Sequence, residues 1–315
     1  MGDIKAWLQA IEEWRLPLGR WVEQFVDWLT DTFPAFFEFL SDVLFGGYEA
    51  LADLLIWPMD VVMILILGVL GVLARGWRFG LGGTAALFVI SLLNLWDPAM
   101  ETLALILGSV VIATVLAIPI GIAAARSDIV SNVVRPVLDF MQTMPPLVYL
   151  IPAIILFGVG VVPGLIATII FAMPPGIRLT ELGIRQVDQE VVEAGHAFGS
   201  APGEILRQIQ LPLARPTIMA GINQVIMLAL SMVVLAGFVG APGLGQEVLS
   251  AISRVEIGPG AEAGLSVVIL AIYLDRVTAA LGTGSGASPG SALSRWRTRF
   301  AGRVSVRART TKEDT

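Results

Sequence analysis

The sequence predicts an all-α integral membrane protein, a polytopic bundle of about seven transmembrane helices, on three observations. Of its 315 residues 56% are hydrophobic and only 15% charged, and the mean hydropathy is +0.80. A soluble domain is about 45–50% apolar and about 25% charged, so the excess apolar surface has to face lipid. Stretches free of charge and long enough for the roughly 20 residues that cross a hydrocarbon core recur through the middle of the chain. Lys and Arg are also sorted between alternate loops, as they are in a multi-pass protein. There is no Cys, and His196 is the only histidine. Thiol chemistry, disulfides, Cys-ligated zinc and iron–sulfur clusters are therefore excluded, and no metal site is expected. A net charge of −6 and a pI near 4.9 argue against nucleic acid as a partner.

Residues 1–56 are expected to be extracytoplasmic amphipathic helices. Trp7, Trp14, Trp21 and Trp28 recur every seven residues with Ile11, Leu18 and Phe25 between them, while Asp3, Glu12, Glu13, Glu23, Asp27 and Asp31 occupy the remaining surface. That pattern makes one apolar stripe on a helix interrupted at Pro17. Tryptophan is a poor coiled-coil knob and a natural resident of the lipid headgroup region, so the stripe reads as lying on the membrane surface. No uninterrupted apolar stretch follows a basic start, so the segment does not read as a signal peptide.

The transmembrane domain is expected over residues 57–281. Its first three spans are residues 57–74, with Asp60 near one end, 79–96 and 102–125. Residues 140–177 carry no charge and are too long for one crossing, and the turn residues of Gly158-Val-Gly-Val-Val-Pro-Gly164 split them into two spans. Residues 216–239 and 264–281 supply the last two. Asp275 and Arg276, inside the final span, are expected to be a structural pair near the cytoplasmic end. Residues 282–315 open with a flexible Gly/Ser-rich linker and continue as a basic tail, from Arg295 to Lys312, drawn to anionic lipid.

Orientation follows from the loops. Arg75, Arg78, Arg126, Arg135, the 178–215 segment and everything from Arg276 onward fall on one side, which collects 16 of the 20 bases against 10 acids. The other side holds Lys5, Arg15, Arg20 and Arg254 with 16 acids. The basic side is cytoplasmic, which places the N-terminus outside and the C-terminus inside.

Residues 178–215 form the longest internal polar segment. Asp188 is an N-cap for a helix through Ala197, and Gly199 is its C-terminal stop. A second short helix starts at Ala201-Pro202, runs toward Ile209 and is ended by Pro212. Ala194, Gly195 and Gly199 are small enough to let another surface approach. The pattern is that of a docking element, and His196 on it reads as an interface contact rather than a proton sensor.

Glu193-Ala194-Gly195, Gly199 six residues after the Glu, then Ile209 and Leu211-Pro212, resemble the EAA loop of binding-protein-dependent ABC importer permeases, with Gly195 replacing the third small residue. Asp139-Phe-Met-Gln-Thr-Met-Pro-Pro-Leu-Val-Tyr-Leu-Ile-Pro152, Ile169-Ile-Phe-Ala-Met-Pro-Pro175 and Leu211-Pro-Leu-Ala-Arg-Pro-Thr-Ile-Met-Ala-Gly-Ile-Asn-Gln224 resemble the glycine betaine/proline compatible-solute branch of that family. The resemblance covers about residues 101–280 and is strongest at the loop. It implies a type I ABC importer permease fold in the inner membrane, with Glu193, Ala194, Gly195, Gly199, Ile209, Leu211 and Pro212 coupling it to a separate ABC ATPase subunit. It further implies an extracytoplasmic substrate-binding protein, a second permease copy forming a homodimer, and ATP and Mg held by the ATPase with no cofactor on this chain.

The residues agree with that division of labour. The only lysines are Lys5 and Lys312, so no Gly-x-x-x-x-Gly-Lys-Ser/Thr phosphate loop exists and energy must come from a partner. A two-lobed solute receptor would need about 200 further residues. Pro145, Pro146, Pro152, Pro174 and Pro175 break backbone bonds inside spans, which is tolerated where the freed groups face protein or a water-filled path. With Gln142, Thr143, Tyr149, Asn223, Gln224 and Ser231 in the same spans, Pro145 and Pro146 mark a translocation pathway. Choline, carnitine or a sulfonium analogue are the alternative solutes. A secondary transporter is the competing class and would need acids buried in mid-span, yet Asp60, Asp139 and Asp275 all fall near predicted ends.

Overall fold

The computed structural model describes residues 17–282. Trp7 and Trp14 of the expected stripe and the basic tail beyond residue 282 lie outside the described residues. The described chain is helical throughout: α1 (Leu18–Thr32), α2 (Pro34–Ile56), α3 (Asp60–Arg75), α4 (Trp77–Leu92), α5 (Trp96–Arg126), α6 (Asp128–Thr143) and, through a 3₁₀ turn at Pro146–Tyr149, α7 (Leu150–Phe157). Then follow α8 (Val161–Arg185), α9 (Gln189–Ala197), α10 (Pro202–Ile205), a π turn (Leu206–Gln210), α11 (Leu211–Ala236), α12 (Leu244–Arg254) and α13 (Ile257–Gly282).

Among the described residues four helices are long and apolar enough to cross a membrane: α5, α8, the continuous run from Pro202 to Val239, and α13. The other expected spans are built differently. The span expected at 57–74 begins at Asp60, because Pro58 ends α2 and the chain turns by 99° between α2 and α3. Residues 140–157 do not form a straight span either: α6 and α7 meet at 110°. Met144, the residue before Pro145, is extended with φ −71 and ψ 135, the conformation a following proline imposes. The turn expected within 158–164 occurs at Gly158 and Gly160, both at positive φ, and Pro163 and Gly164 already belong to α8. Pro174 and Pro175, by contrast, sit buried in the middle of α8, which continues through them.

α8 is the centre of the molecule, with α5 on one side and α11 on the other. Small residues allow the close crossings, as they do between helices in lipid. A Cβ on Gly121 of α5 would lie 2.6 Å from Thr180 Cβ and 2.8 Å from the Ile177 carbonyl of α8. A Cβ on Gly176 of α8 would sit 3.0 Å from both Ala117 of α5 and Val225 of α11.

The core extends past the boundary expected at residue 57: Leu44, Tyr48 and Ala52 of α2 are buried in the same cluster as Leu103 of α5 and Leu165 of α8. α3 and α4 form a hairpin in which the Asp60 carboxylate accepts from Ser91 Oγ at 3.0 Å. α13 is tied to that hairpin by Tyr273, which stacks on Phe79 and donates to the Leu67 carbonyl at 2.5 Å. Asp275 and Arg276 of α13 form a 3.7 Å pair. Exposed Trp21, Phe25 and Trp28 line one side of α1.

Candidate functional site

The loop between α8 and α11 takes its shape from short-range chemistry. Asp188 Oδ1 accepts from the Glu190 N–H at 3.0 Å, satisfying one of the free donors at the start of α9. At the other end Gly199 adopts φ +79. Its N–H donates to the His196 carbonyl at 2.9 Å, and that of Ser200 donates to Gly195 at 3.1 Å. That pair of bonds is a Schellman stop. Glu204 Oε2 accepts from the Ala201 N–H at 3.1 Å and starts the next helix.

Two expectations for this loop need correction. Pro212 does not end the second short helix. The chain widens into the π turn, with the Leu211 N–H reaching back to the Leu206 carbonyl, and runs on into α11. A wider turn can absorb the missing proline N–H and the bulk of its ring. Gly195, expected to admit an outside surface, is buried, and a Cβ on it would lie 2.9 Å from Ile209 Cδ1 and 3.3 Å from Ile205 Cγ1. It lets the loop fold against itself, with Ile209 as its inner contact.

The outward surface consists of Glu193, Ala194, His196, Ala197 and Phe198. Phe198 is 90% exposed and was not among the expected coupling residues. The signal that could have found it is an aromatic placed directly before the helix-stopping glycine of an otherwise polar segment. Beneath this surface lies a cluster of buried Ile184, Val187, Ala214 and Ile218, against which Val192, Leu206 and Leu211 of the loop and Ile118 and Ile122 of α5 each pack. α9 itself rests on α10 and the π turn, which runs on into α11.

Beside the loop lies a charged cluster, around a cavity of about 260 Å³ lined by Arg135, Asp139, Arg178, Glu181 and Arg185. Glu181 Oε1 accepts from Ser131 Oγ at 2.7 Å and pairs with Arg135 at 2.9 Å and Arg185 Nε at 3.0 Å. Arg185 also binds Asp128 at 2.8 Å and the Ala124 carbonyl at 2.9 Å. Arg178 pairs with Asp139. These bonds clamp α6 to α8 and to the end of α5. The Glu181 side chain is 5% exposed, and Arg135 and Arg185 are 57% and 34% exposed. Removing one partner of a buried pair costs about 3–5 kcal/mol, and the partial exposure of both arginines lowers the expectation for Glu181→Gln to about 2 kcal/mol. The thermal midpoint in detergent should fall accordingly, while Asp139→Asn, with both partners open to solvent, should stay within about 0.5 kcal/mol of wild type.

The expected pathway residues divide. Tyr149 is buried, its hydroxyl donates to the Met141 carbonyl and its ring meets Phe171. Its polar end is thus spent bracing the bend between α6 and α7. Thr143 and Ser231 return their hydroxyls to backbone carbonyls of Phe140 and Met227, at 2.9 and 3.0 Å. Gln142, Thr143 and Pro145 are exposed at the bend and Pro146 is half-buried. On α11, Gln224, Met227 and Ser231 share one exposed face, and Asn223 turns its buried Oδ1 away from any hydrogen-bond partner among the described residues.

Residues 117–284, from the last third of α5 to beyond the end of α13, match the family described as the binding-protein-dependent transport system inner membrane component. The chain belongs to that family. It is a multi-pass inner-membrane permease, and the segment matched includes the whole loop, all of α8 and α11 and the last third of α5. The glycine betaine transport system permease protein OpuAB of Bacillus subtilis (strain 168) is 48% identical over 269 residues, 84% of this chain and 94% of that protein. The glycine betaine/proline betaine transport system permease protein ProW of Escherichia coli (strain K12) is 44% identical over 273 residues, 86% of this chain and 76% of its own length. Among solved structures, an inward-facing MetNI methionine ABC transporter chain matches with a TM-score of 0.52 at 22% identity, over 60% of this permease and 93% of that chain. That likeness shows the permease fold.

Proposed function

We propose that this permease forms the translocation pathway of an ATP-driven importer for glycine betaine, proline betaine and related osmoprotectants. It works as a homodimer with a cytoplasmic ABC ATPase and an extracytoplasmic binding protein. The observation that carries the reading is the loop: Glu193, Ala194 and Phe198 face outward on a helix whose underside, at Gly195, rests on Ile205 and Ile209 of the segment that runs directly into α11. In this reading Gly195, Gly199, Ile209, Leu211 and Pro212 shape the loop, and Phe198 is the anchor that enters a groove on the ATPase. The substrate class is supported by the glycine betaine relatives. A second copy is supported by α11, where Gln224 and Ser231 face outward from a membrane helix and are disfavoured against lipid. ATP and Mg belong to the ATPase, because this chain has no phosphate-binding loop.

The test is reconstitution of the permease with its ATPase and binding protein in liposomes. Labelled glycine betaine should accumulate only with ATP inside the compartment that holds the ATPase. Phe198→Ala should lower uptake and solute-stimulated ATP hydrolysis together by about 10-fold, since coupling free energies are about 1–3 kcal/mol and act in both directions. Uptake driven by an ion gradient with the ATPase omitted would overturn the reading. Competition by unlabelled carnitine and choline ranks the solutes.

A further inference from the structure

We propose that a cavity at the extracytoplasmic mouth, between the N-terminal helices and α7, is a cation–π site for the quaternary ammonium group of the solute. The cavity, of about 280 Å³, is lined by Thr30, Phe37, Glu38, Ser41 and Phe157 among others. Binding pockets for drug-sized ligands run from about 300 to 1,000 Å³, so this one suits a smaller solute. The loop order and the distribution of Lys and Arg put the outer end of α7, at Phe157 and the Gly158 turn, on the extracytoplasmic side.

The lining selects for charge. Among the described residues it contains one carboxylate, Glu38, and no Lys, Arg or His. Phe37 and Phe157 meet edge to face, with centroids 5.5 Å apart and planes at 73°, so the edge of one ring rests on a face of the other and the two ring planes point in different directions. A ring face attracts a cation within about 6 Å through its quadrupole, and quaternary ammonium groups are the ligands that use this contact without needing a hydrogen bond. Thr30 Oγ1 spends its proton on the Val26 and Asp27 carbonyls, at 3.1 and 2.9 Å, which leaves its oxygen only as an acceptor. Two aromatic rings, a carboxylate and an acceptor hydroxyl favour a cationic head and disfavour an anion. The carboxylate of a betaine would remain in water at the open rim.

The position connects the site to the path. Its walls come from α1, α2 and α7, and Phe157 adjoins the turn in which the Gly160 N–H donates to the Val239 carbonyl beyond α11 at 2.8 Å. A solute held there touches the helix that leads back to the bend at Pro145 and stands next to the outer end of α11.

This inference rests on the substrate class proposed above, and its test separates the two. The complete complex with the ATPase, in nanodiscs and without the binding protein, is titrated with trimethylglycine and with 3,3-dimethylbutanoate, the isostere whose quaternary centre is neutral carbon. Saturation-transfer NMR should show trimethylglycine bound and the isostere not. Phe157→Leu and Phe37→Leu, which keep apolar volume but remove the ring, should weaken binding about fivefold each, and Glu38→Gln should weaken it as well. Equal binding of the isostere, or undiminished binding in both leucine variants, overturns the site. Should either variant fail to assemble, the isostere contrast on the wild-type complex decides alone. If ATP-driven uptake of glycine betaine proceeds while no binding is seen without the binding protein, the site is wrong and the transport reading stands. Absence of uptake of any N-methylated solute by the full system removes the transport reading itself.

Discussion

Gly245→Ala is expected to prevent normal folding of the outer end of the molecule. A Cβ at that position would lie 2.4 Å from the Val233 carbonyl and 3.1 Å from Val234 Cα. Both obstacles are backbone, so no rotamer change relieves them, and α12 must lift away from α11. Overpacking in a filled site costs about 1–3 kcal/mol and sometimes more, and with main chain as the obstacle the upper part of that range, about 3 kcal/mol, is expected. The partner glycine is equally constrained, since a Cβ on Gly237 would meet Gly245 at 2.6 Å. The check is the yield of monodisperse protein in detergent and its thermal midpoint. Gly258→Ala, with nothing within 4 Å of the added carbon, is the control and should behave as wild type.

Gly199→Val is expected to uncouple the permease from its ATPase while leaving membrane insertion intact. No atom lies within 4 Å of the added Cβ, so the effect comes from the backbone: Gly199 holds φ +79. A left-handed conformation costs an L-residue about 1–2 kcal/mol, and a β-branched one more. The Schellman bonds from Gly199 to His196 and from Ser200 to Gly195 would open, and Phe198 beside them would lose its fixed direction. Uptake and solute-stimulated ATP hydrolysis should both drop by about 10-fold or more at equal expression and full assembly. Near wild-type values for both would show that the loop does not transmit the ATPase motion. Gly199→Asn should retain more activity than the valine variant, since Asn tolerates the left-handed region better.

What was legible in the sequence was local. Asp188 as a cap and Gly199 as a stop are decided within four residues by backbone hydrogen bonds, so the residue types suffice. The long charge-free runs declare membrane helices because lipid leaves the backbone no other way to satisfy its donors and acceptors. Proline was the point of ambiguity. Met144-Pro145-Pro146 turns the chain by 110° while Pro174-Pro175 is carried inside α8, and the difference lies in neighbours: α8 is enclosed by α5 and α11, and the 144–146 segment has one side open. Pro212 was misread for the same reason, because a proline is compatible both with a helix end and with a first turn entered through a π turn.

Composition and spacing by themselves determined that this is a membrane helical protein, which loops carry positive charge, where α9 starts and stops, and that the sequence holds no Gly-x-x-x-x-Gly-Lys-Ser/Thr motif. Each of these depends on free energies set by a residue and its near neighbours, or summed along a segment. Only the tertiary structure decided that Gly195 faces Ile205 and Ile209, and that the Tyr149 hydroxyl braces the bend at Met141. It alone showed that Glu181 gathers Ser131, Arg135 and Arg185, and that Thr102 accepts the Leu244 N–H at 2.8 Å to start α12 from 142 positions away. Such pairings are chosen by which surfaces can close together without leaving buried polar groups unmet. That is a property of the packed molecule, and no window of the sequence contains it.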